Sequence, residues 1–131
     1  MLGMPANVTK GLTVGSTLVC DDNSGAKLVQ IIGIKGVKPR RATQAKAGVG
    51  SVVIVSIKKG TPEMVGKVET AVVTRQKKPY LRAKERIKFE DNACVLIDDQ
   101  NLPKATEIKG CIAREIVERF PKVVALAYAV V

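Results

Sequence analysis

Apolar residues occur in short runs along the first two-thirds of the chain, and several of these runs alternate with polar positions. In the run from Ser51 to Lys58, Val53, Val55 and Ile57 share one face of a predicted strand. Further strands are predicted at 17–20, 27–35, 68–75 and 86–98, the last with a kink at 91–92. Several short strands at near-regular spacing indicate a small closed barrel, which leaves no sheet edge exposed.

Polar segments interrupt these strands. Residues 36–46 are polar and basic without any hydrophobic period, and we predict an exposed loop there. Residues 76–85 lie between two predicted strands and are too polar for a core, which predicts a long hairpin arm. Asn23 and Gly25 are suited to a tight turn that closes a hairpin.

The last third of the chain has a helical period instead. One face of a predicted helix would carry Ile112, Ile116, Val117 and Phe120. The opposite face would carry two pairs of opposite charge, Arg114–Glu118 and Glu115–Arg119. Pro121 is predicted to end this helix, and 123–127 to form another turn or two.

These patterns predict a mainly β protein. It would be a small five-stranded closed β-barrel with a protruding β-ribbon and a C-terminal helical segment. The 131 residues are expected to form a single domain, with the barrel at about 7–98 and the helical region at about 106–128.

The charge of the chain is strongly positive and uneven. Lys and Arg number 22 against 12 Asp and Glu, and 17 of the basic but only 5 of the acidic residues lie at or before Lys88. Such a field suits a polyanion, and nucleic acid is favoured over a merely soluble basic protein. A membrane surface is less favoured, because no basic amphipathic helix accompanies the charge. Without a long apolar run or a signal peptide, the protein is expected to be soluble and cytoplasmic.

Enzymatic chemistry has little support in the sequence. Histidine is absent, and the acids come as adjacent pairs that point to opposite faces of a strand, so we expect solvated turn acids. No catalytic residue, cofactor or resident metal is predicted, although a Mg²⁺ ion shared with RNA phosphates stays open. An RNA-modifying or nucleolytic enzyme, the rival class, would need a metal site at acids such as Asp98 and Asp99. The three cysteines, Cys20, Cys94 and Cys111, lie beside aliphatic residues without a CxxC pair and are expected in the core.

The aromatic residues distinguish between kinds of nucleic-acid binding. Phe89 and Phe120 are expected in the core, which leaves Tyr80 as the only stacking platform near the basic arm. Recognition of folded RNA through its phosphates therefore fits better than single-strand binding. A free-standing RNA-binding barrel protein is the alternative. The candidate RNA-binding residues are Asn23, Lys27, Lys35, Lys38, Arg40, Arg41, Lys46, Lys58, Lys59, Arg75, Lys77, Lys78, Arg82, Lys84, Arg86 and Lys88.

Several ordered motifs resemble one known family. They are Asp22-Asn23-Ser24-Gly25-Ala26-Lys27, Ala47-Gly48-Val49-Gly50, Lys58-Lys59-Gly60-Thr61-Pro62-Glu63, Ala71-Val72-Val73-Thr74-Arg75-Gln76-Lys77-Lys78, Phe89-Glu90-Asp91-Asn92-Ala93 and Ile112-Ala113-Arg114-Glu115. In this order and at these separations they are similar to the universal fourteenth protein family of the large ribosomal subunit. The resemblance covers nearly the whole chain, and the segment from Ala6 to Leu12 resembles the archaeal type.

The resemblance implies a structural, non-enzymatic role in the large ribosomal subunit. It implies binding to large-subunit rRNA and bridges to small-subunit rRNA. It also implies contact with the third large-subunit protein and a small zinc-binding ribosomal protein, and docking of a subunit anti-association factor on the C-terminal region. The residues expected on that protein-partner surface are Arg114, Glu115, Glu118, Arg119 and Lys122.

The ribbon tip departs from the family pattern. The family usually has Asp-Gly there, where glycine supplies a positive φ, whereas here the stretch Tyr80-Leu81-Arg82-Ala83-Lys84-Glu85-Arg86 has no glycine and is a residue shorter. Cys111 also stands where the family often has proline. The basic charge of the ribbon is kept.

Overall fold

The computed structural model describes residues 8–36 and 44–131 of the chain. The strands are β1 (Leu12–Thr13), β2 (Thr17–Cys20), β3 (Ala26–Ile34), β4 (Lys46–Ala47), β5 (Val52–Gly60), β6 (Val68–Arg75), β7 (Tyr80–Arg82), β8 (Glu85–Ile87), β9 (Ala93–Ile97), β10 (Ile108–Ile112) and β11 (Ala127–Val130). A 3₁₀ turn covers Arg114–Ile116, and the short helix α1 covers Pro121–Leu126. In the described residues, no helix has the length and apolar character needed to cross a membrane.

Five strands close into a barrel in the order β2-β3-β5-β6-β9, which confirms the predicted mainly β architecture. Neighbouring strands are antiparallel except at the seam, where β2 runs parallel to β9 and Cys20 lies opposite Cys94. The predicted bounds of β2 and β6 agree with the structure, and those of β3 and β5 differ by one or two residues. Strand alternation therefore carried most of the information about the barrel.

Strand β9 and the second part of β6, residues 71–75, are buried on both faces. Ala71, Val73 and Leu96 point into the barrel, while Val72 and Val95 point outward into a second apolar cluster. That second cluster lies between the barrel wall and the chain that follows it, and it includes Phe89, Ile108, Ile112, Ile116, Phe120 and Val123. The C-terminal third is thus held by burial of apolar area against the outside of the barrel.

The segment predicted as one kinked strand at 86–98 is two strands in different sheets. β8 pairs with β7 in a two-stranded ribbon, whereas β9 belongs to the barrel. The chain leaves the ribbon at Lys88 and re-enters the sheet at Ala93, because Phe89 turns inward to the second cluster. The prediction of a continuous strand was wrong at the kink.

The helix predicted over 112–120 is also wrong. Ile112 ends β10, the 3₁₀ turn follows, and Pro121 begins α1 instead of ending a helix. The backbone N–H of Ala113 donates to the carbonyl of Thr74, 3.0 Å away, and β10 pairs in parallel with β11. These long-range bonds outweigh the local helical period, although all four apolar residues of the predicted face are buried as expected.

Two acids predicted to be solvated are buried. Asp21 and Asp22 are only 9% and 4% exposed. One carboxylate oxygen of Asp22 accepts hydrogen bonds from the backbone N–H and hydroxyl of Ser24, and the other accepts from the N–H of Leu96. Asp22 thereby organises the turn between β2 and β3. The cysteine prediction holds for Cys20 and Cys94, which are buried and free.

Candidate nucleic-acid interface

One group of exposed lysines lies where β3 begins and β5 ends. Lys27 is the second residue of β3, and Leu28 lies opposite Lys59 in the β3–β5 register. Lys58 and Lys59 are exposed near the end of β5. We call Lys27, Lys58 and Lys59 the first cationic cluster.

A second group lies at the other end of the barrel. β3 and β6 are both antiparallel to β5, so Lys35 after β3 and Lys77 and Lys78 after β6 emerge at the same end. Lys46 of β4 pairs with Thr13 of β1. The Lys78 side chain packs so closely on Gly11 that an added Cβ there would lie 2.8 Å from Lys78 Cδ. We call Lys35, Lys46, Lys77 and Lys78 the second cationic cluster.

The two clusters are well separated. Lys27 and Lys35 are eight positions apart at the two ends of β3, which corresponds to roughly 26 Å at about 3.3 Å per residue of extended chain. The basic residues form two patches at opposite ends of a rigid body.

Two buried or half-buried amides hold the second cationic cluster in place. Gln76 is 1% exposed and donates through Nε2 to the carbonyls of Thr9 and Lys78, at 2.8 and 3.0 Å. Its Oε1 accepts from the N–H of Val49 at 2.8 Å. Asn92 Oδ1 accepts from the N–H of Lys77 at 2.7 Å. The backbone that carries both lysines is therefore fixed from two sides, a role that sequence reasoning missed.

The ribbon contributes three exposed cations. Lys84, Arg86 and Lys88 all have exposed side chains. Arg86 and Lys78 line one shallow cleft, which connects the ribbon with the second cationic cluster. Tyr80 is 2% exposed and so cannot serve as the stacking platform that was considered for it.

Arg75 is buried and fully engaged, in contrast to the expectation of an exposed cation. Its Nη1 lies 2.5 Å from Asp21 Oδ2 and donates to the Cys111 carbonyl, while Nε and Nη2 donate to both oxygens of Asp91 at 2.9 and 3.1 Å. Burial alone would lower the pKa of Arg75, but the two carboxylates outweigh it and raise that pKa. Burial raises the pKa of Asp21 even though Arg75 opposes the shift. Arg75 therefore joins β6 to the turn after β2 and to β10.

Arg82 is likewise buried, at 6% exposure. Its guanidinium forms an ion pair with Glu115, and its Nη2 also donates to the Val131 carbonyl at 3.0 Å. The hydrogen bond to Glu115 raises the pKa of Arg82. Neither Arg82 nor Arg75 lies with the exposed cations.

Asn23 is exposed, but its side chain is engaged within the protein. Its Oδ1 accepts from the N–H groups of Thr106 and Glu107, and its Nδ2 donates to the Thr106 hydroxyl at 3.1 Å. This amide joins the β2–β3 turn to the segment before β10, and direct RNA contact by Asn23 stays a prediction.

The expected protein-partner surface is divided by the structure. Glu118 and Lys122 are exposed, Arg114 is half-buried, and the Glu115 side chain is only 8% exposed in its pair with Arg82. Arg119 is exposed, but it shares a cleft with Lys35 and with Lys10, a cation that sequence reasoning did not single out. Lys10 stands alone in the N-terminal segment, so no local pattern marked it. Lys38, Arg40 and Arg41 lie outside the described residues.

Comparison with known proteins agrees with this architecture. The family model for ribosomal protein L14p/L23e matches residues 11–131. The large ribosomal subunit protein uL14 of Halorubrum lacusprofundi is 47% identical over 132 residues, with 100% of both chains covered. Proteins of the same name from Halobacterium salinarum and Methanocorpusculum labreanum are 46% and 42% identical, again over 100% of both chains. The chain therefore belongs to the L14p/L23e family, as an archaeal-type member of these structural, non-enzymatic proteins of the large ribosomal subunit in the cytoplasm.

Proposed function

We propose that this protein binds large-subunit rRNA by neutralising phosphates with the exposed cations at both ends of its barrel. The residues are Lys27, Lys35, Lys46, Lys58, Lys59, Lys77, Lys78, Lys84, Arg86 and Lys88, and Lys38, Arg40 and Arg41 of the loop are proposed to join them. One observation carries the proposal. Arg75 and Arg82 are held in buried ion pairs, whereas within the described ranges none of those ten exposed cations has an acidic partner.

Exposed cations without carboxylate partners are available to phosphates. Each phosphate that a Lys or Arg neutralises releases condensed counterions, which favours binding at low salt. Because the two clusters stand at opposite ends of a closed barrel, they are suited to two separate RNA segments. The barrel would hold those segments at a fixed distance, which is a structural role that needs no catalytic group.

The C-terminal region is proposed to contact proteins. Tyr128 and Val131 are 85% and 47% exposed, and Glu118 and Lys122 are exposed nearby along the chain. Aromatic residues are enriched in the cores of protein interfaces, and polar residues form the rims. We propose this surface for the third large-subunit protein, the small zinc-binding ribosomal protein and a subunit anti-association factor. Contact with small-subunit rRNA at intersubunit bridges is proposed for the cationic clusters.

Charge reversal tests the RNA proposal. Lys77→Glu with Lys78→Glu should weaken binding to large-subunit rRNA and reduce the salt slope by about 1 for each lost phosphate contact. Lys109→Glu is the matched control, an exposed lysine outside both clusters, and should change the slope less. If both variants had the same salt slope, the second cationic cluster would not be part of the RNA interface.

Sedimentation tests the assignment to the ribosome. In a sucrose gradient of cell lysate, the protein should migrate with the large subunit and be released only at high salt. A large free pool at the top of the gradient would instead support the alternative of a free-standing RNA-binding barrel protein.

A further inference from the structure

A cleft of about 450 Å³ at the second-cluster end of the barrel brings together charges from distant parts of the chain. Three cations line it, Lys10 before β1, Lys35 after β3 and Arg119 before α1. Two carboxylates, Asp98 and Asp99, line it as well. We call this the charged cleft.

The opposite charges stand on different walls of the charged cleft. Lys10 and Arg119 also line a neighbouring cleft on one side, together with Glu115. Asp98 and Asp99 also line a different neighbouring cleft, together with Glu69 and Lys104, which form an ion pair with each other. The charged cleft therefore has a basic wall and an acidic wall, and the two do not neutralise each other through a described ion pair.

Arg119 on the basic wall is held in position. Its guanidinium lies 5.3 Å from the centre of the Phe120 ring, and Phe120 is fully buried. Its Nη1 donates to the Gly50 carbonyl at 3.4 Å. A guanidinium has five N–H donors, so most of them are left for a ligand. Such a held guanidinium is suited to a phosphate, because little side-chain entropy is lost on binding.

The acidic wall is fixed by the backbone. One carboxylate oxygen of Asp98 accepts from the N–H groups of Gln100 and Leu102, both at 2.9 Å. Asp98 therefore shapes the turn after β9, while Asp99 beside it is exposed. A phosphate close to Asp99 would be repelled.

We propose that the charged cleft binds one phosphodiester of RNA through its cations Lys10, Lys35 and Arg119, and that Asp99 directs the strand by repelling the adjoining phosphate. This inference rests on the proposed rRNA binding and deepens it. It assigns Arg119 to the RNA interface instead of the expected protein-partner surface, and it assigns Lys10 to the RNA interface as well. The volume of the cleft suits a nucleotide-sized group.

The test compares substitutions of the cations in the charged cleft, which should weaken RNA binding, with a substitution of Asp99, which should strengthen it. The full chain is titrated with large-subunit rRNA transcribed in vitro, between about 50 and 200 mM salt. Lys10→Gln with Arg119→Gln should reduce the salt slope by up to about 1, the contribution of one neutralised phosphate, and Arg119→Gln alone should reduce it by less. Asp99→Asn should raise affinity, about two- to fivefold. Lys122→Gln, an exposed cation of α1 outside the cleft, is the matched control and should have a smaller effect.

The outcomes separate this inference from the proposal on which it rests. If Arg119→Gln matches Lys122→Gln, or if Asp99→Asn weakens binding, the charged cleft does not bind RNA, while rRNA binding by the other cations stands. If the unchanged chain shows no salt-dependent binding, both proposals fail. Arg119→Lys should recover the slope, because it keeps the charge, but only part of the affinity, because it loses the forked donor geometry. Equal unfolding temperatures for all variants would show that the differences arise from binding and not from folding.

Discussion

Arg82 of the ribbon and Glu115 of the 3₁₀ turn form a buried, two-point ion pair across 33 positions of sequence. Arg82 Nη2 lies 2.8 Å from Glu115 Oε2, and the Tyr80 hydroxyl donates to the same oxygen at 2.8 Å. Nη2 also donates to the carbonyl of Val131. The ribbon is therefore joined to the C-terminal segment, and the positions of its exposed cations depend on this pair.

Removal of one partner of the pair should destabilise the protein. Arg82→Gln leaves the Glu115 carboxylate buried without its cation, and we expect the free energy of unfolding to fall by roughly 3 kcal/mol or more. Arg86→Gln, at an exposed position of the same ribbon, should change it by less than about 0.5 kcal/mol. Urea denaturation followed by circular dichroism measures both. If Arg82→Gln and Arg86→Gln lowered the free energy of unfolding by similar amounts, the ion pair would make no particular contribution to stability.

Tyr80 should make stability depend on pH in the alkaline range. Burial, and then the hydrogen bond to Glu115, raise the pKa of Tyr80 above its ordinary value of 10.0. The unfolded chain therefore releases this proton first, and the stability that Tyr80 contributes is lost as pH rises above about 10. Tyr80→Phe should make that decline shallower, by at most about 1.4 kcal/mol per pH unit. Denaturation curves of Tyr80→Phe and of the unchanged protein at pH 8 and pH 10.5 provide the comparison. Equal losses of unfolding free energy between these two pH values would contradict the prediction.

Gly110 of β10 should be intolerant of a side chain. A Cβ added there would overlap the guanidinium of Arg75 and the carboxylate of Asp21. Arg75 cannot swing away without losing its contacts to Asp21, Asp91 and the Cys111 carbonyl, so we expect Gly110→Ala to cost about 2–4 kcal/mol of unfolding free energy.

Gly33 of β3 is the matched control for Gly110. A Cβ at Gly33 would lie 3.8 Å from the nearest atom of Ile54, an ordinary contact. Gly33→Ala should therefore be neutral or stabilise the strand by up to about 1 kcal/mol. Urea denaturation of the two variants gives the comparison. If Gly110→Ala were as stable as Gly33→Ala, the Arg75 pairs would be adaptable and not rigid.

The barrel could be predicted from sequence because its information is local. Val53, Val55 and Ile57 alternate along β5, and each is at most 1% exposed inside the barrel. The ordered motifs also indicated the family, which the match over 11–131 confirms. Strand period and turn residues are properties of neighbouring positions in the sequence. The strands and the family could therefore both be predicted without knowing which strands pair.

The C-terminal third could not be predicted in the same way. The spacing of Ile112, Ile116 and Phe120 suits a helix, but it also suits a strand end followed by a tight turn against an apolar wall. The choice is made by pairing between β10 and β11, where Ile108 lies opposite Ala127. The ion pair between Arg75 and Asp21 could not be predicted either, because the two residues are 54 positions apart and no local charge pattern indicates their contact. Because clustering of basic residues in the sequence does not reveal such buried ion pairs, the prediction from sequence overestimated the number of exposed cations.

The ribbon tip should be stabilised by the glycine that this chain lacks. Ala83, the first of the two residues between β7 and β8, has a φ of 52°, in the left-handed region that costs an L-residue about 1–2 kcal/mol. Ala83→Gly removes that strain but makes the unfolded chain more flexible, so the free energy of unfolding should rise by about 0.5–1 kcal/mol. Lys84→Gly is the control, because Lys84 has no positive φ, and it should lower stability instead. Urea denaturation decides between them, and a loss of stability in Ala83→Gly would mean that the tip is unstrained.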